Sequence, residues 1–311
     1  MRRNAETVSG GAAMTNAASV KNRLKNKAVA TGKTMQEMLT VYGLERFIYR
    51  LSVSEYADRF ALKGGVFLYA LFDGEFARTT RDVDLLANNM PNSAEKIKDV
   101  FVKIFSVPCD DALEFDLTSL TVRDISEFKE YHGVNVFIMA RLDRTRVPVS
   151  IDVGFGDVVY PRKVKMEFPV LLDMPVPKVY AYSLYSVISE KFEAIVSLGD
   201  ANSRYKDFYD IFLLADRRRL DGDELTEALR KTFERRGTRF DDIVVFDKEF
   251  GKSAIHQRRW KAFLEKKKTM KKIEFKAALD LIKTLLSPVV ISIQTETQFD
   301  LVWDHEAGEW K

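Results

Sequence analysis

The chain has 311 residues, 46% hydrophobic and 31% charged, with a formal net charge of +3. That length exceeds one small core and predicts two domains, or one domain with a helical extension; the composition is that of a globular protein, and so small a net charge gives no bulk argument for a nucleic-acid partner. The single cysteine, Cys109, excludes an internal disulfide framework and points to a reducing, cytoplasmic setting. The three histidines, His132, His256 and His305, lack zinc-site spacing. No segment approaches eighteen consecutive apolar residues, so no membrane span is expected.

Residues 1–18 begin with two arginines but continue small and polar, which predicts a disordered leader rather than a signal core, with Met14 an alternative start. Residues 19–60 read as an N-terminal helical segment: Met38, Leu39, Tyr42, Phe47 and Leu51 recur near helical spacing, with a break expected at Gly43. Residues 61–175 read as the core. A Lys63-Gly64-Gly65 turn leads into an apolar run, Val66–Phe72, and then a short strand around Val83–Ala87. An amphipathic helix follows over 93–105, with Ile97, Val100, Phe101 and Ile104 on one face. Strands are expected at Leu117–Val122, Val134–Ala140 and Val147–Val153. Residues 176–311 are expected to be mainly helical and to complete the site, with helices over 184–198 and 202–216 and a largely helical stretch over 223–285. The fold class predicted is α+β, a mixed sheet with flanking helices and a helical C-terminal domain.

Three short motifs carry candidate chemistry. Adjacent glycines at 64 and 65 let the backbone approach a ligand, and their N–H groups at a helix start can cradle phosphate. In Arg81-Asp82-Val83-Asp84-Leu85, strand geometry turns both aspartates to one face. Two carboxylates about 4 Å apart repel by about 4 kcal/mol at an effective dielectric near 20, and a hard divalent cation removes that cost. The bland alternative is a solvated strand edge beside Arg78 and Arg81. In Val149–Asp157, Asp152 interrupts a β-branched run; beside the first strand it would add a third carboxylate, a set able to hold two Mg²⁺ ions.

The helices add further candidates. Lys191 falls on the stripe Leu184, Val187, Ile188, Ile195, Leu198, a position that periodicity assigns to an apolar residue. A lysine there needs a partner, either a triphosphate or an aspartate, unless it snorkels from the edge. Asp207 and Asp210 lie three apart on a helix that is apolar almost all round, so both should be enclosed; a structural salt bridge to Lys191 or Arg204 is the plain reading.

Taken in order, Phe60-Ala-Leu-Lys-Gly-Gly-Val-Phe-Leu68, Arg78-Thr-Thr-Arg-Asp-Val-Asp-Leu85, Ile151-Asp-Val-Gly-Phe-Gly-Asp157, Glu190-Lys191 and Lys206-Asp-Phe-Tyr-Asp-Ile211 resemble the AbiEii/AbiGii toxin family, within the nucleotidyltransferase superfamily built on the DNA polymerase β palm. The likeness spans roughly residues 20–220. It implies the toxin half of a type IV toxin–antitoxin system, partnered by a cognate antitoxin. Such an enzyme moves a nucleotide from an NTP to an RNA acceptor, expected to be the tRNA 3′ end, with Mg²⁺ or Mn²⁺, and so blocks translation and growth. On this resemblance Lys63, Gly64, Gly65, Arg81 and Lys191 are nucleotide-binding candidates. Asp82, Asp84 and Asp152 are metal ligands, with Asp152 resting on the wider superfamily. Asp82, Asp84 and Lys191 are catalytic, Asp207 is the catalytic acid, and Asp210 is a secondary candidate. The superfamily's first motif often has Gly-Ser; here Gly65 offers no hydroxyl, so only backbone N–H groups could contact phosphate there.

Rival readings are a metal-dependent nuclease and a catalytically inactive RNA-binding protein of the same fold. Gly32-Lys33-Thr34 and Gly251-Lys252-Ser253 are not Walker motifs, because Lys27 and Phe246 stand where the first glycine is required. Basic clusters at Arg217–Arg219, Arg235-Arg236, Arg258-Arg259 and Lys266–Lys272 suggest nucleic-acid contact, the last two with Trp260 and Phe263 able to stack a base. Thr79 and Thr80, just before the Asp pair, are candidate phosphorylation sites; a phosphate there would repel incoming triphosphate.

Overall fold

Thr34 and Glu37 form a reciprocal capping box, and from it helix α2 (Met35–Val53) runs unbroken through Gly43. This computed structural model describes residues 15–75, 82–125, 133–241, 243–266 and 270–311. Helix α1 (Ala17–Thr31), capped by the Asn16 side chain, starts inside the stretch read as leader, of which residues 1–14 lie outside the described chain. The α+β class expected from the pattern is realised as a mixed seven-stranded sheet with helices packed against it.

The strands are β1 (Phe60–Lys63), β2 (Val83–Ala87), β3 (Leu113–Ile125), β4 (Gly133–Leu142), β5 (Thr145–Phe155), β6 (Val164–Glu167) and β7 (Lys178–Ala181), in the spatial order β3-β4-β5-β2-β1-β7-β6. β2 runs parallel to β5 and antiparallel to β1, so the centre of the sheet joins segments nearly seventy residues apart. Strand β7 pairs parallel with β1, although it lies beyond residue 176 in the part expected to be helical. Alternation works as the sequence pattern predicts: Val134, Val136, Ile138, Val147, Val149, Ile151 and Val153 are all fully buried on one face. Their opposite neighbours are left for the functional face.

The expected break at Gly43 has a different physical meaning. Helix α2 lies against β5, and a Cβ on Gly43 would sit 2.8 Å from Val147 Cγ1 and 3.1 Å from Val149 Cγ2. The glycine is a close-approach position, not a helix stop. Further along α2, the Arg50 guanidinium grips Asp111 through bonds of 2.6 and 3.2 Å and donates to the Leu113 carbonyl, which ties the helix to the start of β3.

The Lys-Gly-Gly segment is not a loop: β1 passes directly into α3 (Gly64–Leu71). Helix α4 (Ala94–Phe105) packs its Ile97, Phe101, Ile104 and Phe105 side inward. The C-terminal part holds α5 (Leu184–Leu198), α6 (Tyr205–Arg217), α7 (Gly222–Arg236), α8 (Lys248–Lys252), α9 (Ala254–Glu265) and α10 (Phe275–Gln294). It also holds a small sheet of β8 (Leu220–Asp221), β9 (Val302–Asp304) and β10 (Glu309–Trp310), which the sequence pattern did not predict. Helix α10 is long and apolar enough to cross a membrane by length and composition alone; here its Phe275, Ala278, Ile282 and Leu286 stripe packs against α6, α7 and α9.

Filling the contact at Gly43 should loosen the helix that backs β5. Gly43→Val is expected to cost about 1–3 kcal/mol through overpacking, read as a lower urea midpoint at unchanged slope; an unchanged midpoint would show that α2 and β5 do not meet at this position.

Candidate active site

One polar row crosses four strands of the sheet. Lys63 on β1 stands opposite Asp84 on β2, Asp84 opposite Asp152 on β5, and Asp152 opposite Asn135 on β4. Side chains directly opposite in neighbouring strands share a face. The intervening Leu62, Val83, Leu85, Ile151, Val153 and Val134 are buried on the other face, which fixes the register against a one-residue slip. Asn135 Nδ2 donates to Asp152 Oδ1 at 2.7 Å and to Ser150 Oγ at 2.9 Å, which orients the carboxylate. Asp82 stands just before β2, two residues ahead of Asp84.

Lys63, Gly64, Gly65, Asp82, Asp84, Asp152, Lys191 and Asp207 line a single cavity of ≈ 390 Å³. Its floor is the sheet and the N-terminus of α3; its other wall comes from α5, α6 and the end of α7. Gly64 opens α3 at φ +61°, and a Cβ there would run into the Asp84 carboxylate. Glycine is thus required twice, by a left-handed backbone and by contact. The leading N–H groups of α3 are left without helical partners at this end, where an anion is favoured.

The carboxylates on the row are under electrostatic load. Burial, then the charge of Asp82, and also that of Asp152, raise the Asp84 pKa, with Lys63 opposing. Among the described residues no three acidic, histidine or cysteine side chains form a finished metal site as they stand. The donor chemistry nonetheless fits a hard divalent cation, since the donors are all carboxylate oxygen and a cation would relieve the repulsion on Asp84.

Lys191, on the apolar stripe of α5, is buried as periodicity required. Its Nζ lies 2.9 Å from Asp207 Oδ1 and 2.7 Å from Asp210 Oδ2. Arg204 Nε, at the cavity mouth, donates to the other oxygen of Asp207 at 2.7 Å. Burial alone would raise the Asp207 pKa, but Lys191 and Arg204 outweigh it and bring it down to about 2. Lys191 and Arg204 thus favour the ionised form of Asp207, whose contacts are those of an anchor for the lysine. Asp210 backs Lys191 from behind and is not among the lining residues.

A second ionic network was not anticipated. Lys63 Nζ donates to Asp157 Oδ2 at 2.5 Å and lies 3.9 Å from Glu190. Arg236, at the end of α7, reaches Asp157 at 3.4 Å, Glu190 at 3.6 Å and Glu193 at 2.8 Å. Burial opposes the charged form of Lys63, yet Glu190, Asp157 and Asp84 outweigh it and raise its pKa. Asp157 is pushed up by burial and pulled further down by Lys63 and Arg236, so it stays ionised. Glu190 is raised, by burial above all. The sequence signals near this network were the Gly154-Phe-Gly-Asp157 turn with Glu190-Lys191 and the Arg235-Arg236 cluster, expected at a nucleic-acid contact, of which Arg236 reaches into the network; Asn135 carried none, because its partners lie on another strand. Arg81, Thr79 and Thr80 lie outside the described residues.

Against known proteins, a family model described as "Nucleotidyl transferase AbiEii toxin, Type IV TA system" matches residues 46–281. Two solved structures from Helicobacter pylori are among those the chain matches. One, described as a candidate nucleotidyltransferase, is 11% identical with a TM-score of 0.47, over 83% of this chain and 96% of its own. The other, JHP933, is 12% identical with a TM-score of 0.48, over 85% and 95%. Curated protein sequences give no match. With most of its length matched by the family model, the chain belongs to the AbiEii nucleotidyl transferase toxin family and is a nucleotidyltransferase.

The depressed pKa of Asp207 makes a sign-definite prediction. A carboxyl lowered from 3.8 to about 2 stabilises the fold above its unfolded pKa by about 2 kcal/mol, and loses that contribution as pH falls toward 2. Asp207→Asn should be less stable than wild type at pH 7, with the gap narrowing between pH 4 and pH 2 in denaturant titrations. A gap independent of pH would mean that Asp207 is not held ionised by these partners.

Proposed function

Starting from membership of the AbiEii toxin family, we propose that this enzyme transfers a nucleotide from an NTP to the 3′ hydroxyl of an RNA, the tRNA 3′ end being the preferred acceptor, with Mg²⁺ or Mn²⁺ bound by Asp82, Asp84 and Asp152. The observation that carries the reading is the cross-strand row Lys63–Asp84–Asp152, its last carboxylate oriented by Asn135, facing the N-terminus of α3 inside one cavity. Counting side chains that line it, six carboxylates meet five cations. A triphosphate would not enter such a space on the strength of the protein's charges alone, so bound cations are part of the reading. When bound, a divalent ion supplies charge neutralisation of the phosphates and activation of the attacking oxygen.

The chain's own groups do the rest. The α3 amides of Gly64 and Gly65 receive phosphate oxygens. Lys63, held charged by Asp157 and Glu190, offers a fixed cation at the same end. Asp207 and Asp210 hold the Lys191 ammonium in place, and Arg204 and Lys206 flank the entrance. In the transfer, the acceptor hydroxyl oxygen forms a bond to the α-phosphorus, the bond from that phosphorus to the β-phosphate oxygen breaks, pyrophosphate leaves, and the hydroxyl proton passes to solvent or to a carboxylate of the row. Modification of RNA ends accounts for toxicity by blocking translation, and the cognate antitoxin of the type IV system restrains it. Acceptor RNA and NTP together place the reaction in the cytoplasm.

Purified protein given each α-labelled NTP in turn, divalent ion and total RNA should label RNA; shortening of RNA without label would establish a nuclease instead. Asp84→Asn should lower transfer by at least about 10²-fold at near-native stability. Gly64→Ala, which strains the backbone and displaces the Asp84 carboxylate, should raise the KM for NTP and lower kcat together. Wild-type rates in either variant would refute the assignment of the cavity.

A further inference from the structure

Charge along this chain is segregated in a way the cavity does not use. Residues 254–276 carry nine Lys and Arg against two Glu, a surplus of seven, while the whole chain has +3 and the remainder is therefore net negative. Helix α9 opens this segment and is seated by a stripe of His256, Trp260 and Leu264, all buried. Trp260 Nε1 donates to the Ile273 carbonyl at 2.8 Å, and Phe263 packs on Tyr209 and Trp260. Trp260 is buried and so is no stacking platform, which corrects the expectation of base stacking by that ring, and Phe263 is half-buried with its ring against Tyr209 and Trp260.

The opposite side of α9 is different. Arg258, Arg259 and Lys266 are exposed, and among the described residues none has an acidic partner within ion-pair distance. Arg259 and Lys266 are seven apart and so lie on one flank, about 10 Å from each other, with Arg258 beside them. This flank is joined to the cavity. Tyr205, the residue between the entrance groups Arg204 and Lys206, bonds His256 Nδ1 at 2.7 Å and lies against the Arg259 guanidinium.

We propose that the basic flank of α9 guides the phosphodiester backbone of the acceptor RNA to the cavity entrance without reading its bases. The inference rests on the proposed RNA acceptor and adds to it a path and a mode of recognition. Three cations without acidic partners among the described residues, beyond Arg204 and Lys206, favour a polyanion. Among the described residues no fully exposed aromatic stands on the flank, which leaves electrostatic tracking as the mode, so affinity should be strongly salt-dependent and tolerant of sequence.

The test is an Arg258→Glu/Lys266→Glu variant, with Arg258→Gln/Lys266→Gln as a milder companion; neither position lines the cavity. Binding of a 5′-labelled single-stranded RNA oligonucleotide is measured over a range of salt, alongside NTP binding and label transfer to total RNA. RNA affinity should fall about tenfold or more for the Glu pair and less for the Gln pair, with the salt slope reduced by about 1.4 for two lost contacts, and NTP affinity unchanged. Transfer should be restored at saturating RNA. Unchanged RNA affinity overturns the proposal. So does a variant that binds RNA normally but loses its antitoxin polypeptide, which would make the flank a protein dock. The binding arm reads the strip even if wild type labels no RNA, so failure of transfer and failure of the strip are told apart.

Discussion

The interaction on which the rest depends is the confrontation of Asp84 and Asp152 across two parallel strands. Sheet pairing fixes their separation, and the buried valines, leucines and isoleucines on the reverse face prevent a slip that would part them. Like charges held this close oppose folding. The surroundings answer with cations from several elements, Lys63 from β1 and Lys206 from α6, both of which lower the Asp84 pKa against the push of burial and Asp82. A sheet built only for stability would put threonine or valine at these positions.

The helical wall repeats the same logic with opposite sign. Lys191 is a buried cation on an apolar stripe, and two aspartates one helical turn apart hold it. Lys63, Asp157, Glu190, Glu193 and Arg236 then link β1, the end of β5, α5 and α7 in one ionic network. Ion pairs out of water gain little over well-packed apolar side chains of equal size, although breaking one costs about 3–5 kcal/mol. Their concentration around one cavity is better explained by a ligand rich in charge than by stability. The depressed pKa of Asp207 fits this account: the carboxylate is kept ionised so that the lysine stays charged and aimed.

Much of this was legible in the chain, and the reason is local geometry. Asp-x-Asp on a strand must share a face, Asp152 in a β-branched run must oppose its neighbours, and a lysine on an apolar helical stripe must find a partner; each follows from a period of two or 3.6. The strand at 83–87 and the helix at 184–198 were readable to the residue for the same reason. What stayed hidden depends on contacts between remote segments. Gly43 looked like a helix break because propensity cannot see Val147 on the facing strand. Arg236 looked like part of a basic cluster for nucleic acid because its partners lie 43 to 79 residues away. The small β8–β9–β10 sheet is built from strands of two or three residues, too short for any periodic signal.

A physical division of labour follows from where the charges lie. Inside the cavity acids slightly outnumber bases, so on the proposed reading a donor triphosphate would be held only together with added cations. Outside, on α9, exposed bases outnumber its one acid, Glu265, so the proposed acceptor polyanion would need no such help. The proposed donor and acceptor, two polyanions that repel each other, would thereby be received by different means at adjacent places. The entrance residues Arg204 and Lys206 belong to both regions, and Arg204 is also bonded to Asp207. A strand arriving along α9 would compete with Asp207 for that guanidinium, and a guanidinium drawn away would leave Lys191 as the chief counter-charge to Asp207. Acceptor arrival and the setting of the buried lysine would then be coupled through one side chain.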